Sequence, residues 1–171
     1  MAKTVWIINQ YGSTPETGLG GRHYYLAREL SKKGYKVYVI ASATHHLLRN
    51  KPKFQGAFKQ ESVEGVTFVW VDMLAYDEAH SKQRVLNWFI FPWRIRKLAK
   101  ALSHKPDSIL CSSPSPISFL GAKRLAKKFN SRLIFEVRDI WPLTLVELGG
   151  YSPKHPFIKL MQWVEDKAYR E

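Results

Sequence analysis

The stretch TVWIINQYGSTPETGLGGRHYYLARELSKKGYKVYVIA, residues 4–41, decides the fold. Residues 4–9 are a short β-rich apolar run, the pattern of a buried parallel strand. A loop follows that holds Gly12, Ser13, Thr14, Pro15, Gly18, Gly20 and Gly21. The next segment reads as a helix. Tyr24, Leu26, Ala27 and Leu30 mark its apolar face, and Gly34 ends it as a C-cap. Residues 36–41 are a second strand, so the stretch is a strand, loop, helix and strand in succession.

The same alternation continues outward. Residues 42–64 read as loop, with His45, His46, Pro52 and Gly56 in it, and the turn Glu64-Gly65 leads into a strand at 66–71. Residues 73–84 are a polar, exposed excursion. A long helix is expected over 84–103, kinked or restarted at Pro92. A fourth strand covers 107–111, a helix runs to about 129, and a fifth strand covers 132–137. Trp141-Pro142 opens a short helix, with Pro142 at its first position, that Gly149-Gly150 ends. A last helix begins near Pro156 and is still running at Glu171. This order predicts one α/β domain over 1–171, a doubly wound, mainly parallel, Rossmann-like sheet. Ligands on such sheets sit outside the carboxyl ends of strands, here 10–22, 42–47, 72–78, 112–116 and 138–142.

Composition narrows the class. The chain has 171 residues and is 45% hydrophobic, enough for one core without staples. The one cysteine, Cys111, allows neither a disulfide framework nor a CxxC metal site, and a reduced, cytoplasmic setting is expected. The apolar run at the N-terminus stops at Asn9, too short for a signal peptide, and no stretch approaches the ~20 apolar residues of a spanning helix. Lys and Arg total 27 against 14 Asp and Glu, a net +13. That excess implies an anionic partner: nucleic acid, membrane lipid or a phosphorylated substrate. No helix-turn-helix, zinc-finger or RNP-like signature is present, so no nucleic-acid partner is expected.

Four segments carry candidate chemistry. Gly18, Gly20 and Gly21 follow the first strand and open the first helix. Glycines let the backbone approach a ligand, and a helix N-terminus offers free N–H groups to phosphate; the alternative is a tight loop with no ligand. The third position of a dinucleotide fingerprint is His23 rather than glycine, and no acidic residue ends the second strand, so no NAD site is expected. Arg138 and Asp139 follow the last strand. They form a structural pair or a pair that faces a substrate. Ser112-Ser113-Pro114-Ser115-Pro116 precedes a helix that a serine can cap, and Ser113 can instead offer its hydroxyl to a sugar or phosphate. His45 and His46 lack a third ligand at metal spacing.

The segment RVLNWFIFPWRIRKLAKALS, residues 84–103, mixes aromatics and cations. Phe91, Ile95, Leu98 and Leu102 make an ordinary core stripe. Trp88, Phe89 and Trp93 are surplus to it, beside Arg94, Arg96, Lys97 and Lys100. Such a helix is either buried with a solvated basic face or lies in an anionic membrane interface, with Trp88, Trp93 and the four cations as contacts.

Gly20-Gly21-Arg22, followed by Leu26-Ala27-Arg28-Glu29-Leu30 and Gly34 to Ile40, resembles the "GG-x-R … LA-x-EL-x-x-x-GH-x-V-x-V-I" opening of glycosyltransferase-4-like domains. The stretch FEVRDIWPLTLVELGG, residues 135–150, resembles a subgroup used in bacterial O-antigen and capsule assembly, typified by L-fucosamine transferases. The resemblance implies the N-terminal, acceptor-side half of a GT-B fold. The other half, with a Glu-x7-Glu motif, would bind most of the nucleotide-sugar donor, expected to be a UDP-sugar. Transfer would retain the anomeric configuration and need no metal or other cofactor. Gly20, Gly21 and Arg22 would approach the donor phosphate or sugar. Arg138 and Asp139 stand where many members carry a His-Asp-like pair; arginine cannot act as a base but can steady phosphate or hydroxyls.

The resemblance further implies a lipid-linked sugar acceptor, and hence an enzyme peripheral on the inner face of the cytoplasmic membrane. A donor-binding C-terminal domain has no room within 171 residues, so this chain alone is expected to be inactive. It is then an excised domain or the partner of a separate donor-binding subunit. The alternative is a non-catalytic module that docks a partner or a lipid-linked sugar to a membrane.

Overall fold

In the computed structural model, residues 2–76 and 81–170 are described. Among them, six strands form one sheet: β1 (Thr4–Ile8), β2 (Lys36–Ser42), β3 (Phe58–Val63), β4 (Val66–Val71), β5 (Ser108–Ser112) and β6 (Arg132–Glu136). Their order is β3-β4-β2-β1-β5-β6. All neighbours are parallel except β3, which runs antiparallel to β4. This is the expected α/β, Rossmann-like class.

The apolar runs form central strands because both faces are covered. Ile7, Ile8, Val39 and Ile40 have no exposed surface. Side chains alternate across a strand, so one run supplies two cores. Trp6, Ile8, Ile40, Val69, Val71 and Ile109 pack beneath α2 (Lys82–Ile95), α3 (Leu98–Ala101) and α4 (Ser118–Phe129). Ile7, Val39, Phe68 and Trp70 pack with Tyr24 and Ala27 of α1 (Gly21–Lys32) on the other face. Two further helices, α5 (Leu143–Glu147) and α6 (Pro156–Tyr169), follow β6. Cys111 is fully buried, and burial pushes its thiol up to about 12. No described helix is long and apolar enough to cross a membrane.

Several expectations need correction. The loop expected over 42–64 contains β3, which pairs with β4 through a two-residue hairpin at Glu64 (φ 48°) and Gly65 (φ 81°). Such mirror-image turns match the twist of the strands they join. The edge strand is polar, FKQESV, so it lacks the apolar run that marks the other strands. Leu26 is exposed, and His23 takes a buried place on α1 instead. The excursion expected over 73–84 falls partly on residues 77–80, outside the described residues; Met73 and Tyr76 within it are buried.

The expected stripe of Phe91, Ile95, Leu98 and Leu102 is buried. Pro92, however, neither restarts nor ends its helix. It lies inside α2, and the break comes at Arg96 and Lys97. Pro92 is buried where α2 crosses α4. An added Cβ on Gly121 would stand 2.6 Å from the Pro92 carbonyl oxygen, so only glycine permits this approach. Pro142 is the N-cap of α5 rather than its first residue, and the Trp141-Pro142 peptide is cis.

Candidate functional site

The site forms at the carboxyl edge of the sheet. β1 ends at Ile8, and the chain turns outward through Asn9, Tyr11 and Ser13, all buried. Thr14 and Thr17 brace this loop, each backbone N–H donating to the other's hydroxyl at 2.9 and 3.2 Å. Gly20 (φ 71°) and Gly21 (φ 76°) then adopt successive left-handed conformations that L side chains resist. They deliver the chain into α1 with no side chain capping its first turn and no acidic residue in it. The first amides of a helix lack intrahelical acceptors and carry the positive end of its dipole.

His23 is 3% exposed and joins that helix start to the end of β6. The Tyr11 amide donates to Asn9 Oδ1 at 3.1 Å, which fixes the orientation of the Asn9 amide. Its Nδ2 therefore donates to His23 Nδ1 at 2.9 Å. With Nδ1 accepting, the ring proton sits on Nε2, which donates to Glu136 Oε2 at 2.7 Å. The same oxygen accepts from Ser112 Oγ at 2.6 Å, and Glu136 Oε1 accepts from the Arg22 guanidinium. Burial, reinforced by the charges of Arg138 and Arg22, lowers His23 from 6.5 to about 4. These effects outweigh the carboxylate beside it, so the imidazole is neutral at pH 7.

A second buried histidine closes the loops. His45 Nε2 donates to the Gly12 carbonyl at 3.1 Å, and burial holds this histidine at about 4 as well. The loop after β2 is thereby tied to the loop after β1. Tyr11 meets the His45 ring edge-on, and its hydroxyl accepts from Trp88 Nε1 at 2.7 Å.

Gly20, Gly21, Arg22 and Arg138 line one pocket of about 200 Å³, with Asn9, Tyr11 and His23 beneath them. That volume is below the range of whole-ligand sites and suits one phosphate or sugar portion of a larger substrate. Asp139 is exposed and outside the lining. Among the described residues, neither Arg138 nor Asp139 takes part in an ion pair. Ser113 faces inward rather than toward a ligand. It is buried, and its Oγ accepts from the amides of Arg138 at 2.8 Å and Asp139 at 3.3 Å, so it shapes the turn that presents them. No serine caps α4, whose N-cap is Ile117.

The aromatic and basic candidates of α2 separate. Trp88 is 6% exposed and no membrane contact: it stacks on Phe157 of α6 at 5.8 Å and meets Trp141 edge-on at 5.4 Å. Its indole N–H finds a buried partner in Tyr11, which a surface reading of the helix does not foresee. Arg94 is drawn back onto Asp72 at 2.6 Å. Trp93, Arg96, Lys97 and Lys100 are exposed.

Asn9, Tyr11 and His23 were given no role from the sequence, and Glu136 only a place beside Arg138 and Asp139 in a charged cluster at a strand end. The one local signal was the charged Glu136 ending an apolar strand; nothing in the sequence assigns it to residues 22 and 23.

The glycine turn, the start of α1 and two arginines thus meet at the carboxyl edge of a doubly wound sheet, where ligands of such folds sit in general. The family model of the glycosyl transferase 4-like domain matches residues 17–171, and the chain belongs to that family. This gives it a glycosyltransferase role, and its sheet agrees with one half of a GT-B fold. Among curated proteins, none matches. Matching solved structures include the C-terminal domain (residues 78–226) of the PF1911 hydrogenase from Pyrococcus furiosus. It is 13% identical, with 79% of this chain and 90% of that chain covered and a TM-score of 0.49. A second structure of that domain (residues 83–215) is also 13% identical, with 80% and 94% covered and a TM-score of 0.48.

Proposed function

We propose that this domain is the acceptor-side half of a GT-B glycosyltransferase. It moves a sugar from a nucleotide-sugar, a UDP-sugar in this reading, to a lipid-linked saccharide during O-antigen or capsule synthesis, with retention of configuration. The observation that carries the reading is the pocket in which the Gly20-Gly21 turn, the uncapped start of α1, Arg22 and Arg138 meet. In it the helix amides and two guanidiniums favour the diphosphate that leaves with the nucleotide. Arg138 steadies that charge or a sugar hydroxyl, and Asp139 stands at the rim to contact the acceptor. A donor-binding domain or subunit supplies most of the nucleotide contacts, and the 171-residue chain alone does not turn over. The enzyme works peripherally at the inner face of the cytoplasmic membrane, with Trp93, Arg96, Lys97 and Lys100 toward the lipid.

Calorimetry tests the division of labour. UDP should bind this chain at about millimolar or weaker, some 4 kcal/mol of binding free energy. Micromolar UDP affinity, or sugar transfer by this chain alone, contradicts the half-enzyme reading. The second reading, a non-catalytic docking module, is favoured by the exposed basic surface at Trp93. It predicts that transfer in the assembled enzyme is insensitive to Arg138→Ala.

A further inference from the structure

α2 and α4 touch through Pro92 and Gly121 and then run on toward the amino ends of β5 and β6. Beyond that contact a groove of about 590 Å³ opens between them. α2, the turn after it and α3 line one wall with Trp93, Arg96, Lys97 and Lys100; α4 lines the other with Arg124 and Lys128. The groove shares no lining residue with the pocket at the carboxyl edge.

Two features identify what it takes. The first is charge. Five cations, two from the α2–α3 junction, one from α3 and two from α4, converge on one groove, and among the described residues none of the five makes an ion pair. Helix C-termini attract cations in general, and Lys127 and Lys128 close α4 in that way. Lys100 closes α3 likewise, whereas Arg96 and Lys97 lie between α2 and α3, and Arg124 lies within α4, so the convergence of all five exceeds what helix termini account for. The second is apolar surface. Leu86, Phe89 and Trp93 are 50%, 39% and 56% exposed. They recur at i, i+3 and i+7, one outer stripe of α2 that leads to the groove. Lys97 Nζ stands 4.5 Å from the centre of the Trp93 ring at the rim. A nucleic acid or a free phosphate would use the cations and leave the stripe in water. A bilayer surface uses both, with headgroups on the cations and the stripe in the interface.

We infer that the groove between α2–α3 and α4 is a headgroup site for acidic phospholipid, with Trp93 and the Leu86–Phe89 stripe seated in the lipid interface. This rests on the peripheral-membrane reading above and deepens it. It adds Arg124 and Lys128 and excludes Trp88 and Arg94.

The test is co-sedimentation of the 171-residue chain with vesicles of phosphatidylcholine alone or mixed with phosphatidylglycerol. The expected result is binding to the mixed vesicles only, with a blue shift of indole fluorescence that Trp93→Ala removes. Two double variants should each lower the partition coefficient roughly tenfold or more, at about fivefold per cation near an anionic surface. One is Lys97→Gln with Lys100→Gln and the other is Arg124→Gln with Lys128→Gln. Lys33→Gln with Lys53→Gln, an equal loss of charge elsewhere, should lower it twofold or less. Circular dichroism checks that every variant folds. Wild-type chain that ignores mixed vesicles removes the membrane reading itself. Wild-type binding that all three double variants weaken alike leaves that reading standing and overturns the groove. Displacement by inorganic phosphate at matched phosphorus concentration also overturns it, in favour of a small-anion site. So does loss of binding to a short DNA duplex in the groove variants while vesicle binding stays intact.

Discussion

His23 Nε2 donates to Glu136 Oε2 at 2.7 Å across 113 positions of chain, and this bond locks the first turn of α1 to the last residue of β6. Around it Asn9 sets the tautomer, Ser112 and Arg22 complete the carboxylate's acceptor sites, and burial, reinforced by the charge of Arg138, holds the imidazole neutral. The floor of the candidate pocket is thus a hydrogen-bonded network of known polarity.

Glu136→Ala removes the acceptor for three donors, one of them on a buried ring. Urea unfolding should show a loss of about 2–4 kcal/mol, since hydrogen bonds to charged groups contribute roughly 1.5–3 kcal/mol each and His23 is left unpaired. Glu136→Gln keeps an acceptor and should lose about half as much. Equal stability of wild type and Glu136→Ala would mean that the junction does not form.

Acid should weaken the fold in a defined window. His23 and His45 each lie near 4 when folded against 6.5 when exposed, so between those values the unfolded chain binds more protons than the native one. Their contribution is complete above pH 6.5 and is lost as pH falls toward 4. Each should cost about 2 kcal/mol between pH 7 and pH 5. Urea unfolding at the two pH values measures the sum, and His23→Asn should remove about half of the dependence.

Arg138→Ala should leave stability within about 0.5 kcal/mol, because the side chain is exposed. It should also move the His23 titration upward, since the Arg138 charge is one of the causes that lower it. An NMR titration reads this directly. Under the proposed acceptor-side role, Arg138→Ala and Asp139→Ala should cut transfer in an enzyme assembled with a donor-binding partner, without unfolding the domain. Wild-type turnover in both would leave the two residues structural.

Gly21→Ala and Gly121→Ala should fail for different reasons. A Cβ on Gly21 meets nothing within 4 Å, so its cost is the left-handed backbone alone, about 1–2 kcal/mol. A Cβ on Gly121 meets the Pro92 carbonyl oxygen at 2.6 Å and Ile95 Cδ1 at 2.8 Å, so α2 must shift, at a typical cost of about 1–3 kcal/mol. Denaturant melts give both losses. A near-neutral Gly121→Ala would show that the helices are not in backbone contact.

By itself the sequence determined the five parallel strands, the helices that alternate with them and the closure of α1 at Gly34, where φ is 85°, but neither the polar edge strand β3 nor the break between α2 and α3. Each follows from a local cause: an apolar run, a helical period, or a backbone angle that favours glycine. The core stripe that runs from α2 into α3 was legible for the same reason. Only the tertiary structure decided which polar residues meet. Strand register sets Glu136 beside Ser112, and the crossover to α1 brings His23 and Arg22 onto it. Likewise Trp88 and Trp93 are five positions apart on one helix, and their sequence surroundings do not separate them. One is buried because Tyr11, Trp141 and Phe157, distant in the chain, converge on it; the other faces outward over cations supplied in part by α4. Periodicity records which face of an element is apolar. Which partner covers that face depends on where the remaining chain returns, and that is a property of the folded whole.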